Sequence, residues 1–381
     1  MSLLLLLIAL AAVMFYAILQ LEISGILKFF LVFAEMVVVG QVMIKRFRMP
    51  SEMGLILLKS KRGLAVIEKL AKNKDAWHFM ADAGAVAAYG LSSRLFIKDG
   101  SAKSLMAGLA LLAFVSYIVA PTAFVFLFDV LDIGGVEKSV SFISDYQDMG
   151  MIIVALILLV GGFTLFILSG IIFYGGIVLR ATLESVFFGQ DTISGISPGG
   201  TFLLPGINLP LFEGILALVV VMIVHEGAHA VLSRIAKVPL LSSGLVFFGI
   251  IPIGAFIEPD EAKLAKVDAK KQTRVLIAGP TSNLLSSVVF FLLFAALVLA
   301  INNIEALHTG VVGGATAFIY VTLGLTFALN FIVGAVNLLP LPLFDGFRAF
   351  DINVKNKLVV KTVMYITLFF FIMNFLPWLF R

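Results

Sequence analysis

Eight apolar runs, at 2–19, 24–44, 104–131, 150–180, 213–236, 275–300, 314–345 and 357–379, dominate this 381-residue chain. About 20 apolar residues of helix cross the hydrocarbon core of a bilayer, where every backbone polar group must be satisfied internally. The charge content agrees, since 13% of residues are charged and 61% hydrophobic, about half the charge of a soluble domain. That excludes an ordinary water-soluble enzyme and a disordered chain. The expected fold is an all-α polytopic membrane protein with about eight transmembrane helices, seven to nine on the alternatives below. The formal charge of +4 is small and its cations are clustered, so no nucleic-acid partner is expected. Cys is absent. Disulfides, thiol catalysis and Cys-ligated metal are therefore excluded, and any metal site must use His, Asp or Glu.

The first run has the leucine content of a signal peptide but no basic start and no small-residue cleavage site. It reads as a retained helix, paired with 24–44 through a turn near Leu21-Glu22. Basic residues concentrate in 45–76 (Lys45, Arg46, Arg48, Lys59, Lys61, Arg62, Lys69, Lys72, Lys74) and in 261–274 (Lys263, Lys266, Lys270, Lys271, Arg274). Both are expected on the cytoplasmic side. The loops 132–149 and 181–212 carry almost no cation beyond Lys138, which suits the outer side. Two outer loops cannot flank one complete crossing by 150–180. Three resolutions stay open: a re-entrant hairpin at Gly161-Gly162, one misplaced loop, or an extra span at Trp77–Phe96. Against the last, Asp82 and Arg94 suit an amphipathic interfacial helix. The chain thus divides into an N-terminal hairpin (1–44), a basic cytoplasmic or interfacial region (45–103), accessory helices (104–204), a core (205–350) and a C-terminal helix (351–381).

Ionisable residues inside spans are costly and point to function. In 213–236 the sequence reads His225-Glu226-Gly227-Ala228-His229 among apolar residues. Two histidines four apart share one helical face. Their neutral nitrogens can bind one zinc ion, and Glu226 beside the first can act on water at the metal without ligating it. With four His in the chain, chance placement yields this pattern in about one such sequence per thousand. A third ligand is still required. His78 and His308 fall at span boundaries, and Glu35 with Lys28 suits bracing of the N-terminal hairpin. Asp345, in Asn337-Leu338-Leu339-Pro340-Leu341-Pro342-Leu343-Phe344-Asp345-Gly346, is the candidate: the prolines would end a long span there and Gly346 would permit the turn that aims it inward.

Together these residues resemble the site-2 protease family of intramembrane zinc metalloproteases. Its two motifs, His-Glu-x-x-His and Asn-x-x-Pro-x-x-x-x-Asp-Gly, occur here as 225–229 and 337–346. Pro205-Gly206-Ile207-Asn208-Leu209-Pro210, Ser243-Gly244, Pro252–Pro259 and Ala278-Gly279-Pro280-Thr281-Ser282-Asn283 look like further landmarks, so the resemblance covers about residues 205–350. It implies that His225, His229 and Asp345 ligate Zn2+, that Glu226 is the general base, and that the zinc helix runs from the outer to the inner face. Arg234, Lys237, Arg348 and Lys355 agree with a site toward the cytoplasm. A transmembrane protein is then the substrate and membrane lipids the surroundings. With no organelle signal recognised, a prokaryotic cell membrane is the expected location.

Asn283 and Asn337 can supply an oxyanion donor or hold the substrate backbone, or they can hydrogen-bond helices to one another. The stretch 240–258 is rich in β-branched and aromatic residues, Gly and Pro. It is expected as a short membrane-embedded β segment, either an edge strand for an extended substrate or a re-entrant loop. The helices of 2–44 and 104–180 can gate substrate entry or support the core. The rival function is a transporter or channel whose intramembrane His and Glu move metal or protons.

Overall fold

The structure, a computed structural model, describes all residues except 1, 53, 61, 98–99, 132–146, 202, 204 and 381. Among the described residues seven helices are long and apolar enough to cross a membrane, and Leu3–Leu19 is a shorter apolar helix beside them. The protein is an integral, multi-pass membrane protein. Its outward leucines, valines and phenylalanines, among them Leu6, Phe173, Leu292 and Leu358, are exposed, as a lipid-facing surface requires.

Helices α1 (Ser2–Leu19) and α2 (Gly25–Phe47) pack as the expected hairpin. Lys28 closes its turn by donating from Nζ to the Leu19 carbonyl at 3.0 Å. Beyond α2 the chain forms β1 (Ser51–Glu52), β2 (Leu55–Lys59) and α3 (Arg62–Leu70). The segment 240–258 becomes an antiparallel hairpin of β3 (Leu240–Phe248) and β4 (Ile251–Pro259). β2 pairs antiparallel with β3, for instance Leu57 opposite Val246, giving the sheet order β1-β2-β3-β4. One strand of the basic region 45–103 thus covers one side of the core hairpin and leaves β4 as the free edge.

Residues 77–96 are not among the helices long and apolar enough to cross a membrane. They form α4 (Lys74–Tyr89) and a 3-10 turn, Gly90–Leu95. α4 is enclosed by α5 (Ala102–Phe114), α7 (Gln147–Phe188) and α9 (Ala269–Asn303), and Ala81 together with 83–89 is buried. The run of small residues explains this, because it lets backbones approach closely. At Gly84 a Cβ would lie 2.4 Å from the Thr281 Cβ. Asp82, the apparent mark of a watery face, instead accepts a two-pronged bond from Arg274 on α9 at 2.7 and 2.6 Å.

α5 continues through a π-helical turn, Val115–Val119, into α6 (Ala120–Val130). Of the expected outer loop 132–149, with its Lys138, residues 132–146 lie outside the described residues. In α7 the apolar stretch Gly150–Phe188 has 39 residues, about 58 Å if straight, against about 30 Å of hydrocarbon. It is broken at Gly162 (φ 58°, ψ −156°), within the glycine pair where a re-entrant hairpin was one expectation. The break nests against α4: a Cβ on Gly162 would meet the Ala88 carbonyl at 2.5 Å.

The core is built from α8 (Leu211–Ile235), α9, α10 (Gly310–Val336), α11 (Asp345–Asn353) and α12 (Lys357–Met373). The expected span 314–345 is corrected here. α10 ends at Val336, before either proline, and Asp345 opens a new helix rather than closing the old one. The ends of the stretch between them are tied by Gly346 N–H donating to the Asn337 carbonyl at 2.8 Å. A Cβ on Gly346 would lie 2.1 Å from the Leu338 oxygen. The glycine is needed for this close approach and not for a left-handed turn.

Candidate metal centre

α8 carries His225 and His229 one turn apart, and α11 presents Asp345 from its first turn. The three side chains meet. His225 Nε2 and His229 Nε2 lie 3.2 Å apart, and each is 3.1 Å from Asp345 Oδ2. Among the described residues this is the one group of three His, Asp or Glu side chains placed to share an ion. His78 and His308 lie outside it, and His308 bonds the Ile301 carbonyl instead.

The outer nitrogens fix the chemistry of the inner ones. His225 Nδ1 faces Asn283 Oδ1 at 2.6 Å, and His229 Nδ1 faces the Val275 carbonyl at 2.7 Å. Both partners are acceptors, so both Nδ1 atoms carry the proton when the rings are neutral, and both Nε2 atoms present bare lone pairs. Two lone pairs and a carboxylate oxygen converging at about 3 Å repel one another unless a cation lies between them. Tetrahedral zinc at its usual 2.0–2.1 Å from nitrogen or oxygen separates its ligands by about 3.3 Å. The three donors fit such an ion, with a fourth position left for water or substrate.

Asn283 is fully engaged. It is completely buried, accepts from His225, and donates from Nδ2 to the Val221 carbonyl at 3.1 Å and to Asn330 Oδ1 at 2.8 Å. Asn330 in turn donates to the Thr326 carbonyl at 2.8 Å, so a buried amide chain runs from α10 through α9 to the first histidine. Both protons of the Asn283 amide are spent. Asn337 caps α10 and donates to the Val333 carbonyl at 2.9 Å, which leaves one amide proton. Asn330 escaped the sequence reading although an asparagine in an apolar span is the signal that marks such a residue.

Glu226 is not among the three converging atoms. Its carboxylate lies close to both imidazoles, to Asp345 and to the backbone of Ile257 on β4, which packs against α8. The acid therefore sits between the histidine pair and the free-edge strand. Gly279 on α9 forms another wall: a Cβ there would be 2.4 Å from His229 Nε2 and 2.5 Å from His225 Nε2. The Tyr89 hydroxyl is buried and has no hydrogen-bond partner among the described residues.

The chain shares 37% identity over 81 residues with "Uncharacterized protein MJ0971" of Methanocaldococcus jannaschii, a stretch that is 21% of this chain and 22% of that protein's length. No solved structure matches. Residues 213–376 match the description Peptidase family M50, a stretch that contains the histidine pair, Glu226, Asn283, Asn337 and Asp345 and extends through α12. Through its core, residues 213–376, this membrane protein is similar to peptidase family M50, the site-2 protease family of membrane metallopeptidases.

Proposed function

We propose that the chain is an intramembrane zinc metalloprotease that hydrolyses peptide bonds of transmembrane protein substrates. The observation that carries this reading is the triangle of His225 Nε2, His229 Nε2 and Asp345 Oδ2, with edges of 3.1 to 3.2 Å and both Nδ1 atoms tied to acceptors. These three residues would hold the ion. When bound, zinc supplies Lewis acidity toward water and the substrate carbonyl.

The protein's own groups do the rest. Glu226 takes the proton of the attacking water and returns it to the leaving nitrogen. Asn283 holds the His225 ring with its inner nitrogen bare. Asn337, with an amide proton to spare, is the asparagine that meets the substrate backbone or its developing oxyanion. A helical substrate hides its peptide bonds, so it must be extended before cleavage. The free edge of β4 offers backbone groups for such a strand, and the packing of β4 against α8 sets the base beside it. The cations Arg234, Lys237, Arg348 and Lys355 favour a site opening toward the cytoplasm, in a prokaryotic cell membrane. The core 205–350 is the catalytic unit, with the remaining helices as supports or gates.

The reading is tested with purified full-length protein and a helical membrane substrate in detergent. Cleavage should stop on chelation and return when zinc is added. Cleavage that survives complete metal removal overturns the proposal, as does flux of metal or protons across liposomes with no proteolysis.

The role of Asn283 has its own readout. Asn283→Ala should weaken zinc binding about 10- to 100-fold, the usual cost of losing a group that orients a ligand. Asn337→Ala should leave zinc affinity unchanged while slowing cleavage. Competition against a chromophoric chelator measures both. Equal zinc affinity in wild type and Asn283→Ala would show that the ring needs no such support.

A further inference from the structure

The N-terminal hairpin contains a cleft that its own packing does not close. On α1, Leu3, Leu6, Leu7 and Leu10 follow the i, i+3, i+4, i+7 spacing of one helical stripe. Such a stripe ordinarily packs onto a partner helix. Here Ala11, Val39 and Met43 form the buried contact of the hairpin, joined by Leu4, Leu7, Ile8 and Ile44. Toward the start of α1 and the end of α2 the helices leave a cavity of about 220 Å³, lined by the four leucines with Val42, Arg46 and Phe47. Leu3, Leu6 and Leu10 are more than half exposed.

The lining is apolar except for one cation. Arg46 belongs to the last turn of α2, next to Lys45, and Arg48 follows as the helix cap. All three are exposed, and among the described residues none forms an ion pair. A long cationic side chain beside an apolar groove keeps its stem in the groove and its head at the polar boundary. Its guanidinium is the group best shaped to grip a phosphate with two parallel bonds. The occupant must therefore combine a narrow apolar chain with an anionic head.

We infer that the α1–α2 cleft binds an acyl chain of an anionic phospholipid, with the phosphate held by Arg46. This site is independent of the metal centre and does not rest on the proteolytic reading. Lipid held there would brace the end of α2, which leads directly into β1 and β2 and so into the sheet beside the site.

The test uses full-length protein in phosphatidylcholine nanodiscs containing a minor fraction of phosphatidylglycerol, with retained lipid counted by native mass spectrometry. Wild type should retain phosphatidylglycerol in preference to phosphatidylcholine. Arg46→Glu should weaken that retention about tenfold or more, and Leu6→Trp, which fills the cleft, should do the same. Arg48→Glu, outside the lining, should have a much smaller effect. Equal loss from Arg46→Glu and Arg48→Glu would reduce the interaction to diffuse surface attraction and overturn the site. Undiminished retention by Leu6→Trp would overturn it as well. Thermal unfolding checks that the variants fold, and Leu10→Phe provides a second cleft-filling change.

Discussion

Glu226→Gln is expected to lower turnover of a membrane substrate by about 10²- to 10⁴-fold, the range supplied by a positioned acid–base group, while zinc content stays at the wild-type level. The separation follows from the geometry. Glu226 supplies none of the three converging atoms, so its replacement leaves the candidate ligand set whole. The amide has nearly the shape and volume of the carboxylate, so the packing of β4 against α8 is kept. What the glutamine loses is the ability to take a proton from water and pass it on. Single-turnover cleavage measures the chemical step, and metal analysis of the same sample measures the site. Unchanged turnover with zinc in place would remove Glu226 from the mechanism. Loss of zinc with turnover would make it a ligand instead of a base.

Gly279→Ala is expected to abolish zinc binding and, with it, proteolysis. A Cβ at this position would stand 2.4 Å from His229 Nε2 and 2.5 Å from His225 Nε2, closer than carbon and nitrogen can approach without bonding. Neither ring can step aside cheaply, because His225 is tied to Asn283 at 2.6 Å and His229 to Val275 at 2.7 Å. The methyl would force one of these bonds to break or α9 to move off α8. Alanine itself favours helix over glycine by about 1 kcal/mol, so a folded, metal-free protein is the expected product. Gly227→Ala is the control: it lies within the histidine motif, yet nothing stands within 4 Å of its would-be Cβ. It should keep both zinc and activity. Wild-type zinc affinity in Gly279→Ala would mean that the helices stand further apart than described.

The core helices and the ligand set were legible because membranes and metals impose sharp rules. Long apolar runs leave few architectures, and two histidines at helical spacing in such a run need a reason as strong as an ion. The failures have equally physical causes. α4 reads as amphipathic because Asp82 and Arg94 are charged, but Asp82 faces Arg274, 192 residues away in sequence, and a paired charge needs no water. The span at 314–345 reads as continuous because its apolar run passes Asn337, while the helix ends where Gly346 donates to the Asn337 carbonyl. Asn283 is ambiguous in sequence between substrate donor and helix bond, and only its three partners show that its amide is spent.

The sequence by itself determined that this chain lives in lipid, and it singled out His225, Glu226, His229 and Asp345 as the candidates for metal chemistry. These follow from composition and local spacing, which a linear string carries in full. Tertiary structure decided which edge of the sheet is free, which nitrogens are bare, and which glycine the site cannot lose. Gly227 and Gly279 look alike in sequence, each a small residue in an apolar helix near a motif. They differ only in what the fold places against them, open space for one and two imidazoles for the other.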